Sequence, residues 1–340
     1  MTKIVTTKNI LQCVRNMGIK TIFSELINEM EVGFHRWEDF QKVTRPAFHT
    51  NCGVMEVMPC ADNIYFSNKT VNGHPENPKY GKLCVAATGS IHDMKTGYPL
   101  MISEMTFLTA LRTGATSALS SKYLARKNSS IIGIIGCGGQ SEFQILAHAT
   151  LFDIREVRCY DTDVMAMKKF TKNLSKENFS IIECSSAMEC AKNADIIITV
   201  TADKKRAIVL QESWVQLGTH ICGLGGDCPG KTELEESLVR NAKIVVEYLE
   251  QAQIEGEIQI FGDKASDFVF AQLAEIIQGG KKGRENDNEI TLFDGVGFAL
   301  EDYVVLNYIN ILTEKLGFYE NLEMIPELTD CKDLFGYFSL

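Results

Sequence analysis

The 340-residue sequence predicts an α/β protein in two parts. One part is a parallel sheet wound with helices, and the other is a discontinuous α+β domain. Three observations carry this. Strand-like and helical stretches alternate from residue 131 to residue 293. Residues 45–102 read instead as short apolar or alternating runs broken by turn residues. A last helical stretch, 299–316, follows the final strand and is placed to pack back on the first part. The expected division is 1–120 with 300–340, and 121–299.

The first forty residues read as helix, with Ile22, Leu26 and Met30 at helical spacing. The runs 53–58, 64–71 and 83–91 are punctuated by Asn72-Gly73-His74-Pro75 and Lys95-Thr96-Gly97, which suggests a mostly antiparallel sheet. Ser103 is expected to cap a long helix reaching about residue 125, with Ala110, Gly114 and Ala118 permitting close packing. Residues 131–135 form a buried strand. A helix over about 140–150, a strand at 156–160 and a helix over about 165–174 follow. Further strands are expected at 180–183, 194–199, 220–223, 244–246 and 290–293, a helix from about Thr232, and an exposed loop at 281–289.

Composition narrows the function. The chain is 45% hydrophobic and 23% charged, which supports full cores rather than disorder. Its formal charge of −10 argues against nucleic acid as the main partner. The 11 cysteines form no C-x-x-C pair, which points to reduced thiols in a cytoplasmic protein with no zinc site or other metal centre. The N-terminus carries no apolar signal segment, and no run reaches the length of a membrane span.

The segment Ile131-Ile132-Gly133-Ile134-Ile135-Gly136-Cys137-Gly138-Gly139-Gln140-Ser141 reads strand, tight turn, helix start. This is a G-x-G-x-x-S form of the dinucleotide fingerprint. Gly136 permits the turn, and Gly138 lets the backbone approach a pyrophosphate. Ser141 is small enough for close helix–strand packing, and the helix N-terminus attracts the phosphates. Asp161 ends the next strand in the expected place and can accept both ribose hydroxyls. Its charge would repel a 2′-phosphate, so the cofactor is read as NAD on a Rossmann unit. Thr201, at the end of the fourth strand, would lie along the cofactor or serve only as a β-former.

Four charges sit in apolar or strand-like surroundings: Arg45, Glu56, Lys69 and Arg112. Charges so placed pair, bind a ligand or face water. Singly, Arg45, Lys69 and Glu56 read as surface charges or ion pairs. Together, Arg45, Lys69 and Arg112 can clamp one carboxylate. Asp227 lies in the turn Gly225-Gly226-Asp227-Cys228-Pro229-Gly230 after a Rossmann strand. There it can hold a substrate amine and pass its proton, or serve only as a turn residue.

Over essentially its whole length the chain resembles the ornithine cyclodeaminase and mu-crystallin family, most strongly its cyclodeaminases. The segments that carry this are Met55-Glu56-Val57-Met58-Pro59, Lys69-Thr70-Val71-Asn72-Gly73-His74-Pro75 and Ser103-Glu104-Met105-Thr106 through Ala110-Leu111-Arg112-Thr113. The segments 226–234 and 294–302 add to it. The resemblance implies conversion of L-ornithine to L-proline and ammonia, with NAD borrowing and returning a hydride. It implies Arg45, Lys69 and Arg112 on the α-carboxylate, Asp227 as acid/base on the α-amine, and Glu56 on the δ-amine. It also implies that Arg112, Gly139, Gln140, Asp161, Thr201, Leu224 and Lys231 contact NAD, and that the chain is a homodimer joined through the N-terminal sheet. Gly295 departs from the hydroxyl residue expected beside the nicotinamide. Alternatives within the family are an imine or ketimine reductase, an alanine dehydrogenase, a lysine cyclodeaminase or a non-catalytic binding protein.

Overall fold

The computed structural model describes residues 1–202 and 207–339. Two sheets organise it. The first takes in β1 (Thr2–Val5), β2 (Gln41–Lys42), β3 (Ala47–His49), β4 (Val54–Ala61), β5 (Tyr65–Gly73), β6 (Ala87–Asp93) and β7 (Pro99–Glu104). The second contains β8 (Ile131–Ile135), β9 (Glu156–Tyr160), β10 (Ser180–Glu183), β11 (Ile196–Thr199), β12 (His220–Gly223), β13 (Lys243–Val246), β14 (Val269–Gln272) and β15 (Thr291–Asp294). A last strand, β16 (Glu320–Leu322), returns to the first sheet.

The first sheet runs β16-β1-β7-β6-β5-β4-β2, with β3 also paired to β4. From β7 to β2 every pairing is antiparallel, as the turn-punctuated sequence predicts. Among the helices of this region, α1 (Thr7–Met17) packs on β1 and α3 (Thr106–Leu124) on β6, while α2 (Ile19–His35) packs on α3. The expectation of helix from the first residue is corrected. Thr2–Val5 is a strand between β7 and β16, and the helices begin at Thr6, whose side chain accepts the Asn9 N–H in a capping box. Ser103 is not a helix cap either. It lies in β7, and Glu104 takes that job by accepting the Phe107 N–H at 2.9 Å. Gly114 of α3 is required by packing, because a Cβ there would stand 2.8 Å from the Phe143 carbonyl oxygen.

The second sheet is parallel throughout, in the order β10-β9-β8-β11-β12-β15-β13-β14. β8 is buried on both faces, which is why its sequence is a continuous apolar run rather than an alternation. α4 (Ser141–His148) and α5 (Val164–Leu174) follow β8 and β9. Strand order reverses at β8, with β9 and β10 on one side and β11 onward on the other. A ligand crevice opens at such a reversal, at the carboxyl ends of the strands. No helix starts at Thr232. The chain stays extended there and turns helical over Glu236–Asn241.

α6 (Ala299–Leu316) leaves the second sheet and packs against α2, α3 and strands β4 to β6. It ends on Gly317 in the left-handed conformation that helix termini favour. Its first turn therefore sits between the two sheets, where the candidate site lies. No described helix is long and apolar enough to cross a membrane.

Candidate active site

Apart from Arg112 and Lys231, the sequence-predicted cofactor positions follow five neighbouring strands, in spatial order. Asp161 follows β9, Gly136 to Gln140 follow β8, and Thr201 follows β11. Leu224 follows β12, and Gly295 follows β15. Five strands set four intervals of about 4.8 Å, so these positions span about 19 Å along the carboxyl edge. That is a track for an extended ligand rather than a compact one.

The glycine turn is built as its sequence suggests. Gly136 has φ 105°, and a Cβ there would lie 2.7 Å from the Val200 carbonyl oxygen. At Gly138 and Gly139 a Cβ would meet nothing within 4 Å, so their backbone faces open space at the start of α4. Buried Ser141 donates to the Gly138 carbonyl at 2.8 Å, which satisfies its hydroxyl in the third fingerprint position. Asp161 accepts the Cys137 N–H at 2.7 Å and the Asp163 N–H at 2.9 Å. It thus ties the second strand's end to the turn while keeping lone pairs for hydroxyl donors. Open backbone N–H groups beside an acidic acceptor fit a dinucleotide's pyrophosphate and ribose.

Gly295 has a packing explanation. A side chain there would stand 2.7 Å from Phe293 Cε1 and 2.8 Å from Leu224 Cδ2. A hydroxyl residue at 295 would need a smaller neighbour than Phe293.

The charged residues meet around the turn after β15. Arg45 donates to the Val296 carbonyl at 3.1 Å, and to the Asp227 carbonyl at 3.0 Å. It pairs with Glu56 at 3.1 Å and with Glu255. Arg112 lies under the same turn: a Cβ on Gly297 would be 2.7 Å from its Nη1. Lys69 pairs with Asp302 at 2.8 Å, and Arg112 reaches both Asp302, at 3.1 Å, and Glu301, at 2.7 Å. Asp227 pairs with Lys231 at 3.0 Å, and Lys231 also donates to the Thr201 carbonyl at 2.8 Å. Arg45, Glu56, Lys69, Arg112, Asp227 and Lys231 are therefore brought together. Gly136 to Gln140 and Asp161 stand apart at the far end of the track.

The three cations are not unopposed, since Glu56, Glu255, Glu301 and Asp302 already face them. The carboxylates are there because buried cations need partners. Burial pulls the Arg45 guanidinium down, but Glu56 and Glu255 overcome it and hold it above its ordinary range. Burial, with Arg112 nearby, lowers the Lys69 ammonium to about 8 in spite of Asp302. Burial and Glu301 raise the Glu247 carboxyl well above its ordinary value, against the pull of Arg112. The cluster thus offers aimed donors rather than net positive charge. Arg112 spends Nε on Asp302 and Nη1 on Glu301, and among the described residues no hydrogen bond uses Nη2.

Sequence reasoning passed over Glu301, Asp302, Glu255, Glu247 and Glu233. Glu301 and Asp302 open a helix, where acidic residues are ordinary, yet both are fully buried. The usable signal was the number of buried-context cations, which demanded counter-charges somewhere.

A family model described as the ornithine cyclodeaminase/mu-crystallin family matches residues 7–315. An ornithine cyclodeaminase of Agrobacterium fabrum is 42% identical over 332 residues, covering 98% of this chain and 93% of that protein. An alanine dehydrogenase of Archaeoglobus fulgidus is also 42% identical, over 270 residues that cover 78% of this chain and 83% of that protein. Among solved structures, a lysine cyclodeaminase studied for its recognition of L-lysine, L-ornithine and L-2,4-diaminobutyric acid superposes with a TM-score of 0.92. It has 27% identity and 98% coverage of both chains. An archaeal alanine dehydrogenase dimer with bound NAD gives 0.87, with 35% identity and coverage of 95% of this chain and 99% of that one. The chain belongs to the ornithine cyclodeaminase/mu-crystallin family.

Proposed function

We propose that the chain is an NAD-dependent ornithine cyclodeaminase that converts L-ornithine to L-proline and ammonia. The observation that carries this reading is the meeting of Arg45, Glu56, Arg112 and Asp227 around residues 295–298, at the end of the cofactor track. Near-full-length identity to a curated ornithine cyclodeaminase supports it. NAD held on this track would supply reversible hydride-transfer chemistry at the substrate Cα.

The chain's own residues supply binding, orientation and proton movement. Asp161 receives the adenosine ribose hydroxyls, and the N–H groups around Gly138 to Gln140 receive the pyrophosphate. Arg112 Nη2, Lys69 and Arg45 hold the α-carboxylate. Asp227 orients the α-amine and takes its proton, because the Cα hydride leaves readily only from beside a neutral nitrogen. Lys231 holds the Asp227 carboxylate in place. Glu56 manages the δ-amine, which must also be neutral to attack. Closure of a five-membered ring is intramolecular, so correct positioning supplies much of the rate.

We assign residues 1–120 and 300–340 to substrate binding and dimerisation, and 121–299 to the cofactor. The register places Met55, Phe66, Leu100 and Ile102 on the sheet face away from the helices. Met55 and Leu100 are exposed there. These apolar side chains, interleaved with polar ones such as Thr70, Thr88 and Ser90, support a homodimer through this face.

A substrate panel tests the assignment. Ornithine is expected to yield proline and ammonia, while alanine, or pyruvate with ammonium, gives no net NADH change. Stoichiometric NADH from alanine would assign the chain to alanine dehydrogenase activity instead. A pH series tests the clamp: KM for ornithine is expected to climb as pH passes about 8, where the Lys69 ammonium deprotonates. In Lys69→Gln the KM is high throughout, and that inflection disappears. An inflection that persists in the variant would remove Lys69 from the clamp.

A further inference from the structure

Glu233 has no part in the roles assigned so far, yet it lies at the junction between cofactor track and acid/base loop. It is 1% exposed. Its Oε1 accepts the Thr201 N–H at 2.9 Å and the Thr201 hydroxyl at shorter range. Thr201 is gripped from the other end as well, since its carbonyl accepts from Lys231, the partner of Asp227. A continuous path therefore runs from Glu233 through Thr201 and Lys231 to Asp227.

Three further contacts fix Glu233. Its own N–H donates to Glu257 Oε1 at 2.9 Å, and its carbonyl accepts the Val209 N–H at 2.7 Å. Glu257 in turn is anchored by its N–H to Asp294 at 2.8 Å. The carboxylate of Glu233 fills the place where a Gly225 side chain would be: a Cβ there would lie 1.9 Å from Glu233 Cδ. Gly225 opens the loop that carries Asp227, so that loop lies directly on the Glu233 carboxylate. The other side of Thr201 abuts the glycine turn, where a Cβ on Gly136 would be 3.1 Å from the Thr201 nitrogen.

A buried carboxylate kept at such a junction costs desolvation free energy that a packed apolar residue would avoid. Burial indeed raises the Glu233 carboxyl above its ordinary range, against the pull of Lys231 and the threonine donors. A smaller polar residue would not bridge Gly225 and Thr201, and an apolar one would leave the Thr201 N–H unsatisfied.

We propose that Glu233 is a positioning residue of the active site: by holding Thr201 against the Gly225 loop, it sets Lys231 and Asp227 relative to the nicotinamide end of the cofactor track. The proposal rests on the cyclodeaminase reading for its kinetic consequence, but not for its effect on cofactor affinity. Displacement of a reacting group by about 1 Å costs roughly 100-fold in rate, so Glu233→Ala is expected to lower kcat by that order. The KM for ornithine is expected to change less than roughly threefold, because the carboxylate clamp is anchored on other elements. Glu233→Gln keeps an oxygen that accepts the Thr201 N–H, and is expected to recover kcat to within roughly tenfold of wild type.

NAD affinity, measured by titration without substrate, is expected to fall by about tenfold in Glu233→Ala, the equivalent of one lost hydrogen bond. Thr201→Val and Glu233→Ala combined should be less than additive, because the bond from the Thr201 hydroxyl to Glu233 is lost in either single variant. If the alanine variant does not fold, Glu233→Asp takes its place with the same expected loss, since it keeps the charge but falls a methylene short of Thr201. A kcat within twofold of wild type, glutamine no better than alanine, or an additive double variant would overturn the proposal. A wild-type chain that makes no proline would overturn the cyclodeaminase reading instead, and the NAD titrations would still decide the role of Glu233.

Discussion

Asp227→Ala is expected to leave a folded protein that binds NAD with near wild-type affinity and turns over ornithine slower by roughly 10²–10⁴-fold, the range a positioned general acid/base supplies. Folding should survive because the Asp227 side chain is 56% exposed, and its ion-pair partner among the described residues is the buried Lys231. The contact that ties the loop to Arg45 uses the Asp227 carbonyl oxygen, which the substitution keeps. Lys231 retains the Thr201 carbonyl as a partner. Steady-state kinetics with an NAD titration checks this. Turnover within about tenfold of wild type would remove Asp227 from the acid/base role and leave it as the turn residue its sequence context also allows.

Asp302→Ala is expected to be the most destabilising single change in the site, at about 3–5 kcal/mol. Asp302 is fully buried and serves two cations at once, Lys69 at 2.8 Å and Arg112 at 3.1 Å. Its removal leaves two buried positive charges with one carboxylate fewer, and Lys69 has no other ion-pair partner among the described residues. The melting temperature should fall by roughly 10 °C. Asp302→Asn, which keeps the shape and an acceptor oxygen, should lose less. Lys69→Met combined with Asp302→Leu should recover part of the loss, because an apolar pair avoids the uncompensated charge. If Asp302→Ala melts within about 2 °C of wild type, the buried ion pairs do not hold this region together.

The fold was largely legible because its central strands are buried on both faces. Residues 131–135 read as a strand from their continuous apolar run, and the glycine turn and Asp161 followed from spacing alone. Three strands were not legible, although others as short, at 180–183 and 220–223, were. Thr2–Val5, Val269–Gln272 and Glu320–Leu322 span only three or four residues, and their pairing is set by distant partners rather than by local pattern. Ser103 misled because serine before a helix resembles a cap, while the ladder to β6 claims it for a strand. The cations of the site could be read from their apolar surroundings. Their partners could not, since Glu301 and Asp302 have the same sequence signature whether solvated at a helix start or buried in an ion-pair cluster. Glu233 escaped notice for a similar reason: what marks it is contact with Gly225 and Thr201, and these come together only when β11 and β12 pair.

In the proposed cycle bound NAD is restored at every turnover rather than consumed. Excess ornithine is supplied to the enzyme with NAD at a small fraction of the substrate concentration. Proline and ammonia are expected in equal amounts, with many turnovers per NAD and no accumulation of NADH. Product that stops at one equivalent of NAD, with matching NADH, would contradict this cycle and identify a dehydrogenase.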